Sequence, residues 1–367
     1  VRVLAWVPQE YDTSPGQRFR LEQWEPVLRR EGIEIVWSPF SGAALTRIMS
    51  QPGHLTSKAA GIAGALARRW REAFAARAFD LVYVFRESEL MGPALPARLL
   101  GLLRVPFVFD FDDAVWVRYI SPANSYLSYL RMPGKTAFLC RGARHVLAGN
   151  PYLRDYALRH NRAVSIVPTT IDTERYRPLP PRQPEVPVIG WTGSYSTGQY
   201  LSVVAGALTR LARSHRFRVV VVGGGESFRP PGVEVEFRPW RSATEIQDLS
   251  DFDIGLMPLP DAQWERGKCG LKALQYMALG VPAVVSPVGV NAQIVRDGEN
   301  GLIAADEAGW DHALGRLLDD TSLRARLGAA GRATVEAEYS AAVVAPRVAR
   351  ILRLAAAALD TPAAFPR

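Results

Sequence analysis

The stretch Lys268-Cys-Gly-Leu-Lys-Ala-Leu-Gln-Tyr-Met-Ala-Leu-Gly-Val-Pro-Ala-Val-Val-Ser-Pro-Val-Gly289 decides how this chain is read. Gly270 opens an apolar helix over 271–279, Gly280 ends it, Pro282 follows, and a buried strand over 283–286 leads to a turn at Gly289. A helix start of this kind presents unpaired backbone N–H groups and the positive end of a dipole, which suits a phosphate. Lys268 and Lys272 stand four residues apart, so both reach that end. They are half of the chain's four lysines, in a sequence that otherwise uses arginine as its cation. A flexible point charge fits here better than a rigid fork; two solvated surface lysines are the plainer alternative.

The same strand–helix alternation runs outward in both directions. Upstream, buried runs at 1–7, 33–37, 81–85, 107–109, 145–148 and 165–167 are separated by helical stretches such as 17–30, 57–77 and 151–159. The segment 177–187 holds five prolines in eleven residues, too many for a helix or a central strand, and reads as a hinge. A second alternation follows, with strands at 188–191, 217–222, 233–237, 254–257, 283–286 and 302–303. Its helices fall at 198–213, 243–249, 271–279 and 310–318. Such alternation specifies parallel sheets covered on both faces. The expected class is therefore α/β, with a Rossmann-like doubly wound domain over 1–176, the hinge, and a second such domain over 188–345. A helical tail over 346–367, kinked at Pro346, is expected to return to the first domain. No repeat of solenoid period is visible.

The 367 residues are 48% hydrophobic and 22% charged, the balance of a soluble globular protein. No apolar run is long enough for a membrane span, which needs about 18 residues, and residues 1–7 read as a buried strand rather than a leader. Cys140 and Cys269 are far apart, so neither a disulfide framework nor a zinc spacing is present. These features predict a cytoplasmic protein. The net charge of +8 reflects either an arginine-rich composition or attraction to anions, such as a phosphorylated donor or an acidic membrane surface. Nucleic acid is not an expected partner, because no helix-turn-helix, zinc-finger or RNA-binding signature occurs. The five histidines show no metal spacing, and no Gly-x-Ser-x-Gly elbow is present.

Three segments together resemble the retaining GT-B glycosyltransferases of family 4 (group 1). They are the 268–289 stretch, Gln293-Ile-Val-Arg-Asp-Gly-Glu-Asn-Gly301, and Val167-Pro-Thr-Thr-Ile-Asp-Thr-Glu-Arg-Tyr-Arg-Pro178. The resemblance implies two Rossmann-like domains facing an interdomain cleft, a nucleotide-diphosphate sugar donor held by the second domain, and an acceptor on the side of the first. It also implies retention at the anomeric carbon, with no metal and no cofactor. The acceptor class left open is a small molecule, a glycan or a lipid-linked sugar, with peripheral contact to an anionic membrane.

The departures from the family pattern are specific. The first of its two glutamates falls on Gly267, which cannot touch a sugar, and the second on Gln275, whose amide can still meet ribose hydroxyls. Glu265 lies two residues early. The family's phosphate loop is replaced by Gly190-Trp-Thr-Gly-Ser-Tyr-Ser-Thr-Gly198, in which Gly193 allows backbone approach and Ser194 offers a hydroxyl. Donor binding is thus expected at Gly193, Ser194, Lys268, Gly270, Leu271, Lys272 and Gln275, with Trp240 beside the base. In the first domain, Gly16 and Arg18 of Ser14-Pro-Gly-Gln-Arg-Phe-Arg20 are expected to face the diphosphate, with Arg20 as a second cation. The family histidine near the donor sugar maps onto Asp112, followed by Asp113, and these join Lys268 and Lys272 as the catalytic candidates. Asp110, Asp112 and Asp113 raise the alternatives of a metal site or a structural cluster. The segment 116–134, with Tyr126 and Tyr129, is the expected acceptor contact. Gly223 to Gly225 lack the spacing of a dinucleotide fingerprint and read as a turn. Two other functions share these features: a nucleotide-sugar epimerase of GT-B fold, and a non-catalytic nucleotide-sugar-binding partner.

Overall fold

The structure, a computed structural model, describes residues 1–49, 53–89, 92–117, 132–180 and 186–357. The chain divides into two compact units, Val1–Thr169 with Val344–Arg367, and Thr170–Val343. No helix among the described residues is long and apolar enough to cross a membrane.

The first unit is built on β1 (Arg2–Val7), β2 (Glu34–Pro39), β3 (Leu81–Phe85), β4 (Phe107–Phe111), β5 (His145–Ala148) and β6 (Val164–Ile166). These form one parallel sheet in the order β2-β1-β3-β4-β5-β6. Its helices are α1 (Pro15–Gln17), α2 (Gln23–Arg30), α3 (Ala43–Met49), α4 (Leu55–Ala75), α5 (Leu95–Leu102), α6 (Lys135–Gly142) and α7 (Pro151–Leu158). The strands β3 and β4 are buried at every position. Continuous apolar runs of this kind belong to a parallel sheet covered on both faces.

The second unit carries β7 (Val188–Thr192), β8 (Arg218–Val222), β9 (Glu234–Arg238), β10 (Ile254–Met257), β11 (Ala283–Val285) and β12 (Leu302–Ile303), ordered β12-β11-β10-β7-β8-β9. Around this sheet lie α8 (Ser202–Leu211), α9 (Glu245–Ser250), α10 (Gln263–Arg266), α11 (Leu271–Ala278), α12 (Asn291–Ile294), α13 (Glu307–Asp319) and α14 (Thr321–Thr334). Its core joins Trp191, Leu208, Val219, Leu256, Trp310 and Leu314 across strands and helices. The last helix, α15 (Ala341–Ala357), contains Pro346 within its span.

All twelve strands fall where the alternation puts them. The helices depart more. The expected helix over 17–30 breaks at Arg20, whose backbone (φ −124, ψ −106) leaves the helical region, because its side chain turns inward to a buried carboxylate. The expected helix over 198–213 starts as a 3-10 turn, Tyr195–Leu201. The unit boundary falls at Thr169/Thr170, whereas the sequence reading sets it at 176. The cause is local: Ile171 bridges to Ser340, and the Arg332 guanidinium donates to the carbonyls of Thr173 (2.9 Å), Tyr176 and Ala278 (2.6 Å). The residues before the proline-rich run are thereby fixed to the second unit.

Candidate functional site

In each sheet the strand order reverses once, between β1 and β3 in the first unit and between β7 and β10 in the second. Loops leaving such a switch point at the carboxyl ends of the strands form the crevice in which open α/β sheets bind ligands. Gly16 follows β1, Gly193 and Ser194 follow β7, and Lys268 to Lys272 follow β10, at these two places, whereas Asp112 and Asp113 follow β4 and Trp240 follows β9.

In the second unit the helix start at 270 is built as the sequence predicts. Gly270 is left-handed (φ +71), and a Cβ there would lie 2.1 Å from Ile294 Cδ1, so the position takes glycine on both conformational and steric grounds. No side chain caps the N-terminus of α11. Lys268 Nζ lies 5.1 Å from the Trp264 ring centroid, and Lys272 Nζ lies 5.4 Å from that of Trp191. The indole of Trp191 also fills the space a side chain at Gly193 would need, 2.5 Å from the Cβ position. Lys272 is therefore drawn toward the loop after β7, and the phosphate-type elements on β7 and α11 come together. Ser194 Oγ lies 3.0 Å from Ser196 Oγ and 3.3 Å from Thr197 Oγ1 in that loop. A side chain at 193 would also meet Thr197 Oγ1, 2.8 Å from the Cβ position.

Tyr276 sets where α11 begins relative to the strands. Its hydroxyl accepts from Thr192 N (3.0 Å) and donates to Leu256 O (3.3 Å), at the ends of β7 and β10. Burial pushes its pKa well above the ordinary tyrosine range, so it stays a donor. One residue earlier, Gln275 is buried and its Nε2 donates to Glu245 Oε1 (3.1 Å), which also accepts from Trp240 Nε1 (2.8 Å). The Tyr176 hydroxyl donates to the second oxygen of the same carboxylate. Trp240 and Gln275, predicted separately, are thus joined through Glu245, a residue the sequence reading did not select. An anion on its Nε2 side turns the amide oxygen of Gln275 the other way. Trp240 also sits against the turn at Gly223, whose own Cβ position lies 2.5 Å from Gly193 O. The glycine run 223–225 is a structural turn at the end of β8, as expected. At the site of the missing family glutamate, Gly267 leaves no carboxylate, and Glu265 is buried and accepts from the Tyr200 hydroxyl.

In the first unit the three aspartates divide. Asp110 is fully buried, held by Arg20 Nε (2.9 Å) and Nη2 (2.6 Å) and by the Tyr83 hydroxyl. Burial works to lower the Arg20 pKa, and the charge and hydrogen bonds of Asp110 reverse this, so Arg20 remains a cation. The expectation that Arg20 meets phosphate is therefore corrected: it is a core ion pair. Arg18 is corrected likewise, because its guanidinium is buried, 2.7 Å from Asp12 Oδ1 and stacked over Phe19. Asp112 and Asp113 share one partner that sequence reasoning missed. Arg86 Nε and Nη2 donate to Asp112 (2.5 and 2.9 Å), and Nη2 lies 2.9 Å from Asp113 Oδ2. Arg86 follows β3 with φ +61, a strained conformation for a non-glycine residue of the kind that clusters at functional sites. Gly16 completes the group: a Cβ there would lie 2.4 Å from Arg86 Nη2 and 3.1 Å from Asp112 Oδ2. The loop after β1 thus lies directly against this pair, and a side chain at 16 would have to displace the guanidinium. The signal for Arg86 was its place at the carboxyl end of a central strand. Tyr126 and Tyr129 lie outside the described residues.

Residues 186–320 match the family model described as Glycosyl transferases group 1. A D-inositol 3-phosphate glycosyltransferase of Stackebrandtia nassauensis is 44% identical over 62 residues, which are 16% of this chain and 14% of that protein. Among solved structures, sucrose-phosphate synthase from Thermosynechococcus elongatus is similar, with a TM-score of 0.69 and 16% identity over 96% of this chain and 98% of the other. HepE of Anabaena in complex with UDP-glucose gives 0.69 and 16%, covering 96% and 99%. The two units have the GT-B fold.

Proposed function

With a group 1 glycosyltransferase segment on a GT-B scaffold as the premise, we propose that this chain transfers a sugar from a nucleotide-diphosphate donor to an acceptor hydroxyl, with retention and without a metal. The observation that carries the reading is the convergence of the start of α11 on the loop after β7: Lys272 lies over Trp191, whose indole packs against Gly193. The donor diphosphate lies against that convergence. As the sugar–phosphate bond breaks, negative charge grows on the leaving diphosphate. Fixed cations and backbone N–H groups there stabilise the transition state more than the ground state. Gln275, oriented by Glu245, offers its amide oxygen to a ribose hydroxyl, and Trp240 packs by the base. In the first unit Asp112 and Asp113, paired with Arg86, are the proposed polar contacts of the transferred sugar, and Tyr126 and Tyr129 those of the acceptor. The absence of a metal requirement is supported by the pairing of all three aspartates with arginines rather than with one another. The proposed location is cytoplasmic, with a small-molecule, glycan or lipid-linked acceptor.

One observation favours a second reading. Gly267 removes a carboxylate that the resembling family places near the donor sugar, which suits a partner that binds a nucleotide sugar without turning it over. Incubation with a panel of nucleotide-diphosphate sugars and no acceptor separates the two. Thermal stabilisation by one donor together with its slow hydrolysis supports a transferase. Stabilisation without hydrolysis supports the binding partner, and a new sugar isomer an epimerase. Stabilisation by none of the donors would refute the donor site.

A further inference from the structure

Helix α4 is amphipathic the wrong way round for a helix that only covers a sheet. Its inner face buries Lys58 and Arg69. Arg69 Nη1 donates there to Ser38 Oγ (2.8 Å) and Glu72 (2.8 Å), and the guanidinium lies over the rings of Trp6 and Phe40. Its outer face is apolar from end to end. Leu55, Ala59, Ala63, Ala67, Trp70 and Phe74 recur at spacings of three and four, one helical stripe, and all are exposed. Leu55 is 61% and Phe74 59% exposed, values a helix of a self-contained unit has no reason to keep. The neighbouring α5 packs beside α4 and adds Leu95 and Leu102, also exposed. Both helices follow right-handed crossovers running in the same direction along the sheet, from β2 to β3 and from β3 to β4, so they cover the same face.

The charge around this patch has one sign. Over 55–78 and 95–104 the sequence holds seven basic residues and one acid, Glu72. That acid is engaged by Arg68 and Arg69. Arg71, Arg77, Arg98 and Arg104 are exposed beside the apolar stripe. A tryptophan and a phenylalanine on an outward helical stripe bordered by four exposed arginines, with the exposed Asp80 beyond its end accepting from the backbone N–H of Arg2 (2.7 Å), match the interfacial layer of an anionic bilayer. A second copy of the chain would instead bring two sets of arginines together.

We propose that the outer face of α4, extended by α5, docks the first unit onto an anionic lipid surface. The helix lies in the plane of the interface, Trp70 and Phe74 enter the acyl boundary, and Arg71 and Arg77 meet phosphate headgroups. The inference rests on this face alone and not on the proposed transfer reaction. The test is co-sedimentation of the full chain with phosphatidylcholine vesicles, with and without phosphatidylglycerol. Binding is expected only when the anionic lipid is present and is expected to weaken as salt is raised. Arg71→Gln/Arg77→Gln should lower partition roughly 20-fold, from about fivefold per basic side chain. Leu55→Ser/Phe74→Ser should lower it roughly tenfold or more. Both doubles should melt as the parent does, since the replaced side chains are exposed, Leu55 by 61% and Phe74 by 59%. No binding to anionic vesicles, or binding indifferent to both doubles, would overturn the proposal. So would a dimer in size-exclusion chromatography that depends on Leu55 and Phe74 and forms in place of vesicle binding.

Discussion

Replacing Lys268 or Lys272 by alanine probes the proposed chemistry most directly. At a separation of about 4 Å and an effective dielectric of about 20, an ammonium and one developing unit of negative charge interact by roughly 4 kcal/mol. Both lysines are half-buried against an indole, and the growing charge is spread over two phosphates, so only part of this is realised. The expected loss in kcat/KM is roughly 10²–10³-fold for each variant, the scale of removing one preorganised transition-state donor. The structural loss includes one cation–π contact, about 0.5–1 kcal/mol. A thermal melt of each variant, measured beside the kinetics, separates that loss from the kinetic defect. The assay is single-turnover donor cleavage together with steady-state transfer. Near-parental turnover in both variants, at unchanged stability, would refute the phosphate site.

Further outcomes follow from other parts of the two units. Glu245→Ala strands the donors of Tyr176, Trp240 and Gln275, so it should destabilise the protein by roughly 2–4 kcal/mol in denaturant unfolding and raise the donor KM; unchanged values for both would remove it as the group that orients Gln275. Transfer activity should survive excess EDTA, and a loss restored by magnesium or manganese would return Asp112 and Asp113 to the role of ligands. Burial lowers the pKa of His145. Below about pH 6.5 the unfolded chain then takes up a proton that the native state resists, and stability falls as the pH drops through that value. His145→Gln should flatten this part of the melting-temperature profile, and an unaltered profile would contradict the assignment. Tyr126→Ala and Tyr129→Ala should raise the acceptor KM while sparing donor affinity; unaffected acceptor kinetics in both would place the acceptor elsewhere.

Central strands such as β3 and β8 were legible because a parallel strand buried on both faces is written as a nearly uninterrupted apolar run, and nothing distant is needed to see it. The helix start at Gly270 was legible for a similar reason, since glycine and the lysine pair are local. What the sequence concealed depends on contacts between distant residues. Arg18 and Arg20 resemble outward-facing cations in a glycine-containing loop, yet Arg20 is claimed by Asp110, ninety residues away. Conversely, Arg86 and Glu245 carry no motif. Each gains its role only when the fold brings it to Asp112 or to Gln275 and Trp240. Charge sign can be read from a sequence, but which charges the core consumes cannot.

The Tyr276 hydroxyl has a consequence for the energetics of recognition. By accepting from the last residue of β7 and donating to the end of β10, it anchors α11 to the two central strands of its sheet before any ligand arrives. The cost of ordering that receptor is met during folding, so little of a ligand's binding energy is diverted to it. Donor recognition by this unit should then show a fast, single-phase association and a small entropy penalty. Tyr276→Phe, which leaves Thr192 N without its acceptor, should convert that into slower binding with a visible ordering step.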